Sequence, residues 1–262
     1  MSGFVNLGRY PLDRPQSRSY ARLVQRCKSE LTRDGLFNLP GFIHPETAQA
    51  EAQRLAPRMA NSSFTHARRH NIYFKKAVEG LADDHPALTV FKTSHNTLCA
   101  DQLQDSPVAY VYNMPQLQRF LATVMDKPAL FPMADPLAAF NVMSYAEGQA
   151  LNWHFDRSEF TVTLLLQEPQ AGGVFEYRTD LRSAKDPNYD GVARLLAGKD
   201  PQKIQMQVAP GTLNVFRGVN TPHRVTPVKG AQARMIAVLT YYEAPGARFS
   251  ETEQLGFYGR IA

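Results

Sequence analysis

Tyr145-Ala-Glu-Gly148-Gln-Ala-Leu-Asn-Trp-His154-Phe-Asp156 is the stretch on which the reading of this chain turns. His154 and Asp156 stand two residues apart, and on a strand that spacing points both side chains to one face. One more imidazole would complete the two-histidine, one-carboxylate facial set that holds non-haem Fe(II) and leaves the other metal positions open. His223 is the distant residue that can supply it. A His-x-Asp pair alone is usually an ordinary surface pair, so the weight falls on the residues around it.

Downstream, Gly172-Gly173 precedes the strand-like Val174-Phe-Glu-Tyr177. Pro210-Gly211 turns into the apolar run Thr212-Leu-Asn-Val-Phe216. His223-Arg-Val-Thr-Pro-Val228 follows, and Arg234 stands eleven residues past His223, at the head of Met235-Ile-Ala-Val-Leu-Thr-Tyr-Tyr242. A guanidinium opening such an apolar strand needs an anionic partner, and its planar fork matches a carboxylate. A second substrate or an internal salt bridge would meet that need. Tyr145, nine residues before His154, reads equally as a site residue or a core tyrosine. Trp153 must point to the sheet face opposite His154.

The ordered set Tyr145-x-x-Gly148, His154-x-Asp156, Gly172-Gly173, Pro210-Gly211, His223, Arg234 resembles the Fe(II)/2-oxoglutarate dioxygenase superfamily, which includes prolyl 4-hydroxylases and nucleic-acid demethylases. The longer string His154-Phe-Asp-Arg-Ser-Glu-Phe-Thr-Val-Thr-Leu-Leu-Leu-Gln167, with Phe175-Glu-Tyr177 and His223-Arg-Val-Thr-Pro-Val228, is similar to one branch of it. That branch holds the carrier-independent amino-acid halogenases of the BesD type and their hydroxylase relatives. The resemblance spans residues 135–245. It implies a double-stranded β-helix (jelly-roll, cupin-like) core, with Fe(II) on His154, Asp156 and His223. It implies 2-oxoglutarate and O2 as cosubstrates, with Arg234 on the C5 carboxylate and Tyr145, Asn141 or Thr163 assisting. The halogenases carry Gly or Ala where this chain has Asp156, which predicts hydroxylation. Leu151 and Arg157 also differ from the lysine halogenases, so their substrate does not carry over. In this branch N-terminal segments help to build the substrate pocket, which makes Arg68, Arg69, Ser94, His95 and Asn96 candidates for it. Arg157 and Glu159 are candidates to turn over the metal.

The composition agrees with a globular protein: 262 residues, 44% hydrophobic and 20% charged, enough for a sizeable core. A net charge of +5, from 29 basic and 24 acidic residues, permits an anionic cosubstrate. The basic residues form no stripe or aromatic-interleaved channel, so nucleic acid is not expected as a partner. Cys27 and Cys99 are expected to be free buried thiols. The first residues, Met1 to Arg9, lack an apolar signal segment and no membrane-length apolar run occurs. These readings predict a cytoplasmic monomer or homodimer with no membrane partner.

The chain is expected to be mainly β with a helical extension. Residues 1–135 would form a helical and mixed support region and 136–245 the catalytic jelly roll. An insertion at 180–203 is read as a surface excursion or lid, and 246–262 as a tail. Residues 1–15 read as an irregular arm. Helices are predicted from Ser17 to Asp34, ended by Gly35, from Pro45 to about Arg58, and from Asn113-Met-Pro115 to before Pro128. His66-Ala-Arg-Arg-His70 reads as a solvated basic surface, and Ile72-Tyr-Phe74 as a short strand. About eight strands are predicted, among them Ala139–Tyr145, Trp153–Asp156 and Phe160–Leu166.

Three functions fit these residues. The first is an oxygenase hydroxylating an unactivated C–H of a free amino acid or similar small molecule, with succinate and CO2 as coproducts. The second is a dioxygenase acting on a peptide, protein or other large substrate. The third is a cupin-like metal-binding protein without turnover.

Overall fold

The computed structural model describes residues 3–262; Met1 and Ser2, part of the expected arm, lie outside the described residues. Helix α1 (Arg18–Asp34) begins where the Ser17 hydroxyl accepts the Tyr20 N–H and ends at Gly35, whose φ of +76° is left-handed. Its buried residues are Tyr20, Leu23, Cys27 and Leu31, as the periodicity predicts. Strand β1 (Leu36–Leu39) follows, then α2 (Pro45–Ser62), which runs past the predicted end through an internal Pro57. Next come β2 (Phe64–His70), β3 (Phe91–Leu98), α3 (Pro107–Tyr112), α4 (Pro115–Val124) and β4 (Phe131–Pro132).

The catalytic stretch supplies β5 (Phe140–Tyr145), β6 (Leu151–His154), β7 (Thr161–Gln167), β8 (Ala171–Gly172) and β9 (Phe175–Tyr177). After α5 (Tyr189–Leu196) come β10 (Ile204–Met206), β11 (Leu213–Phe216), β12 (His223–Val225), β13 (Val228–Lys229), β14 (Arg234–Leu239), β15 (Tyr241–Tyr242) and α6 (Glu251–Tyr258). The larger sheet has seven strands in the order β1-β11-β7-β14-β5-β3-β2, and the smaller has four in the order β10-β9-β12-β6. Their strands pair antiparallel throughout, giving the jelly-roll arrangement of two packed sheets.

Alternation along each strand sorts residues to opposite faces of the large sheet. On β7, Val162, Leu164 and Leu166 enter the main core with α1, α2 and α4, while Thr161, Thr163 and Leu165 line a cavity. On β14, Met235, Ala237 and Leu239 enter that core, and Arg234, Ile236 and Val238 face the cavity. The cavity thus lies between the sheets.

Four expectations need correction. The basic string 66–70 is not a solvated surface: it is part of β2, with His66 and His70 buried. Ile72-Tyr-Phe74 is a turn, not a strand, and holds Phe74 at φ +54°. Asn71 builds it: its Oδ1 accepts from the Tyr73 and Lys75 N–H groups, and its Nδ2 donates to the Lys75 carbonyl. Strand β6 ends at His154, so Asp156 lies beyond the strand. The insertion 180–203 does not simply ride on the surface. Leu181, Val192 and Leu195 pack with Trp153 and Phe155 in a second core behind the site, and no residue of the insertion lines the cavity.

Candidate active site

His154 ends β6 and His223 opens β12, directly opposite in the antiparallel register. Their rings lie 4.1 Å apart between centroids. Each ring is oriented from behind: Nδ1 of His154 lies 2.9 Å from the Asn152 carbonyl, and Nδ1 of His223 lies 3.0 Å from that of Thr221. Only an N–H can face a carbonyl productively, so in the neutral ring the lone pair sits on Nε2, the tautomer a metal-ligating histidine requires.

Asp156 reaches the same point by a different path from the one expected. Its N–H donates to the Gly218 carbonyl at 3.1 Å, which ties the residues after β6 to those after β11. The Thr161 hydroxyl donates to its Oδ2 at 2.6 Å. Its Oδ1 is then left facing the two rings, 3.4 Å from His154 Nε2 and 3.5 Å from His223 Nε2. Ligand atoms of the three residues lie within 4.8 Å of one another. Burial pushes His223 down to about 4, opposed by Asp156, so the imidazole is neutral at ordinary pH. Burial would raise Asp156, but His223, His154 and the Thr161 hydroxyl hold its carboxyl well below the usual range. Neutral imidazoles and an ionised carboxylate are the forms that bind Fe(II).

The triad opens into a cavity of about 610 Å³. Arg234 sits at one side of it, 5% exposed, with Nη1 buried and without a hydrogen-bond partner. Burial pulls its pKa down, offset in part by Tyr145, its register partner on β5. A buried guanidinium with an open donor and no carboxylate is a preformed anion site. Tyr145 and Thr163 line the same cavity. Asn141 does not: its Nδ2 donates to the Leu137 carbonyl and its Oδ1 accepts from the Tyr258 hydroxyl. Trp153 faces away from the metal cluster, under the Arg224 guanidinium.

The other candidates separate by strand alternation. Arg68 and His95 line the cavity, whereas Arg69, Ser94 and Asn96 do not. Arg157 reaches the rim and pairs with Glu253 at 2.6 Å, while Glu159 pairs with Lys127. Several cavity residues escaped the sequence reading. His66, Phe74 and Phe257 line it, the last from α6. The signal for α6 was present: Ser250-Glu-Thr-Glu253 is a capping box, and its reciprocal bonds form.

The fold, the donor set and the open arginine are those of an enzyme that uses Fe(II), 2-oxoglutarate and O2. An oxidoreductase of the 2OG-Fe(II) oxygenase family from Burkholderia pseudomallei has the same fold at 16% identity, covering 86% of this chain and 92% of that one with a TM-score of 0.51. AviO1 from Streptomyces viridochromogenes Tue57 aligns at 17% identity over 85% of this chain and 96% of its own, with a TM-score of 0.56. The non-heme alpha ketoglutarate dependent epimerase SnoN from nogalamycin biosynthesis gives 12%, 85%, 83% and 0.56 for the same quantities. No curated protein matches this chain. The family model HalD, described as Halogenase D, matches residues 20–253, and the chain belongs to that family. Among the described residues no helix is long and apolar enough to cross a membrane.

Proposed function

We propose that the protein is an Fe(II)/2-oxoglutarate-dependent hydroxylase acting on an unactivated C–H of a small metabolite of amino-acid size, with succinate and CO2 as coproducts. The observation that carries this is Arg234, a buried guanidinium with an open donor, in one cavity with the His154–Asp156–His223 cluster. His154 and His223 would hold iron through Nε2 and Asp156 through Oδ1. Iron with its 2-oxo acid supplies the oxidising power for C–H cleavage once O2 is present. The Arg234 fork takes the distal carboxylate of 2-oxoglutarate, with Tyr145 beside it. Met143, Leu165, Ile236 and Val238 keep water from the walls between that carboxylate and the metal.

The cavity volume falls in the range of roughly 300–1,000 Å³ typical of small-molecule sites, which favours a metabolite over a folded protein substrate. The likeness of the 154–167 string to the BesD-type branch supports a substrate of amino-acid size. The family description favours a second reading, halogenation. Asp156 argues against it. Three protein ligands and a bidentate 2-oxo acid would occupy five of the six positions iron offers, and O2 would need the sixth, so a halide would have no place.

Oxygen uptake and succinate formation with Fe(II) and 2-oxoglutarate test this reading even without substrate. Wild type is expected to turn over slowly in this uncoupled mode and His223→Ala to lose both iron and turnover. A His223→Ala protein with full iron and full rate would overturn it.

A further inference from the structure

Polar atoms without partners mark where a cavity awaits a ligand. Among the described residues, four such buried atoms line this one: Arg234 Nη1, Thr212 Oγ1, His95 Nδ1 and Arg68 Nε. The 2-oxoglutarate carboxylate accounts for Arg234. Arg68 remains. It sits on β2, three strand spacings from Arg234 on β14 across β5 and β3, a lateral separation of about 14 Å. Its guanidinium lies 4.2 Å from the centre of the Phe74 ring, and that ring is 6.0 Å from His154. Arg68 is therefore one aromatic ring away from the metal ligands, on the side opposite the cosubstrate.

No carboxylate pairs with Arg68 among the described residues, whereas the neighbouring Arg157 is taken by Glu253. Burial and Arg157 both pull Arg68 down from its ordinary range, as expected of an uncompensated cation. The floor between the two arginines carries no charge of its own at neutral pH. There His66, His95 and Tyr145 lie in a row with ring centres 5.1 and 5.5 Å apart, and burial pushes His95 down to about 3. Acidic groups are scarce. Among the described residues the only acidic ones lining the cavity are Asp156, committed to the metal cluster, and Glu168, exposed past the end of β7. An ammonium group brought to the Arg68 side would find a cation and no anion.

We infer that Arg68 binds a carboxylate of the primary substrate, and that this substrate is a net anion, such as an N-acylated amino acid or other small carboxylic acid. The inference rests on the oxygenase reading above and deepens it. Two cationic anchors then hold two anions on either side of the iron.

Calorimetric titration of the anaerobic protein, loaded with Fe(II) and 2-oxoglutarate, tests this with three matched sets: N-acetyl-L-amino acids, the free L-amino acids, and the N-acetyl-L-amino acid amides. The best N-acetyl acid is expected to bind about 10- to 100-fold more tightly than its amide. Its free amino acid should fall between them. Arg68→Gln should erase the acid–amide difference while iron and 2-oxoglutarate bind as in wild type. Because Arg68 has no anionic partner, the ligand-free variant should melt at or above wild type. The acid–amide comparison needs no variant, so a folding defect cannot hide the result. Equal binding of acid and amide, tighter binding of the free amino acid, or no binding in any set overturns the inference. So does a lowered thermal midpoint in Arg68→Gln with acid affinity intact. Failure of wild type to bind Fe(II) and 2-oxoglutarate sinks the oxygenase reading; retention of both with acid and amide bound alike sinks only the role of Arg68.

Discussion

A single methyl group at position 218 would move Asp156. A Cβ built on Gly218 would stand 2.6 Å from Asp156 Cγ, and the nearest atoms are all in that side chain. Asp156 Cβ would stand only 2.7 Å away as well, so the backbone at Asp156 must shift with its carboxylate, and Gly218→Ala is expected to lose iron affinity by about 10- to 100-fold. Anaerobic Fe(II) titration beside a melting curve separates the two effects; unchanged iron binding would mean that Asp156 is not a ligand. Arg234→Met should weaken 2-oxoglutarate by at least about 100-fold, the scale of removing one partner of a buried ion pair. The ligand-free variant should be no less stable than wild type, since the guanidinium has an unmet donor there. Measured affinity for 2-oxoglutarate and thermal midpoints check both halves. That His154, Asp156, His223 and Arg234 share one cavity was legible in the sequence because residue type, order and spacing set them together. Gly218 was not, because its reason is a neighbour in space after an unrelated strand. Asn141 misled for the same cause: its partner Tyr258 lies 117 residues away.

At the scale of elements, the helices and central strands followed their periodicity, and β2 did not. In β2 the inward His66, Arg68 and His70 alternate with the outward Ala67 and Arg69, so the strand period is present. His66 and Arg68 are polar because they face a ligand cavity, and the buried His70 is held by the Asn71 carbonyl and the Thr93 hydroxyl; a polarity scale reads all three as solvent. The C-terminal helix α6 is pinned by Asp135, 1% exposed, whose carboxylate accepts the Leu137, Ala138 and Phe249 N–H groups and the Gln254 side-chain amide. Burial would raise its pKa, but these four donors win and hold it below the ordinary 3.8. A depressed folded-state pKa stabilises the protein fully above the ordinary value. That contribution is lost as pH falls below 3.8 and through the folded-state value. Asp135→Ala, with four donors left unmet, should cost on the order of 3 kcal/mol at neutral pH. It should also flatten the acid limb of the stability curve. Denaturant melts of both proteins from neutral to acid pH would show it; parallel acid limbs would contradict it. Because α6 carries Phe257 into the cavity, the same variant should loosen substrate binding.

Over the whole molecule, two sheets put one face of seven strands on a helical core and the other on a metal cavity. The jelly roll was legible because its central strands alternate and its turns carry Gly and Pro. The reach of the large sheet was not. Strands β1, β2 and β3 join it from the segment expected as a helical and mixed support region, and only long-range pairing could place them there. That extension brings Arg68 and His95 to the site and makes it more than a metal centre.

If Asp156 completes the metal ligand set, the outcome is hydroxylation within a family described as halogenases. Its most direct test is the product mass when the best substrate from the titrations is turned over with Fe(II), 2-oxoglutarate and O2 in excess chloride. A gain of one oxygen atom is expected, with a yield insensitive to chloride. A dominant chlorinated product would contradict it.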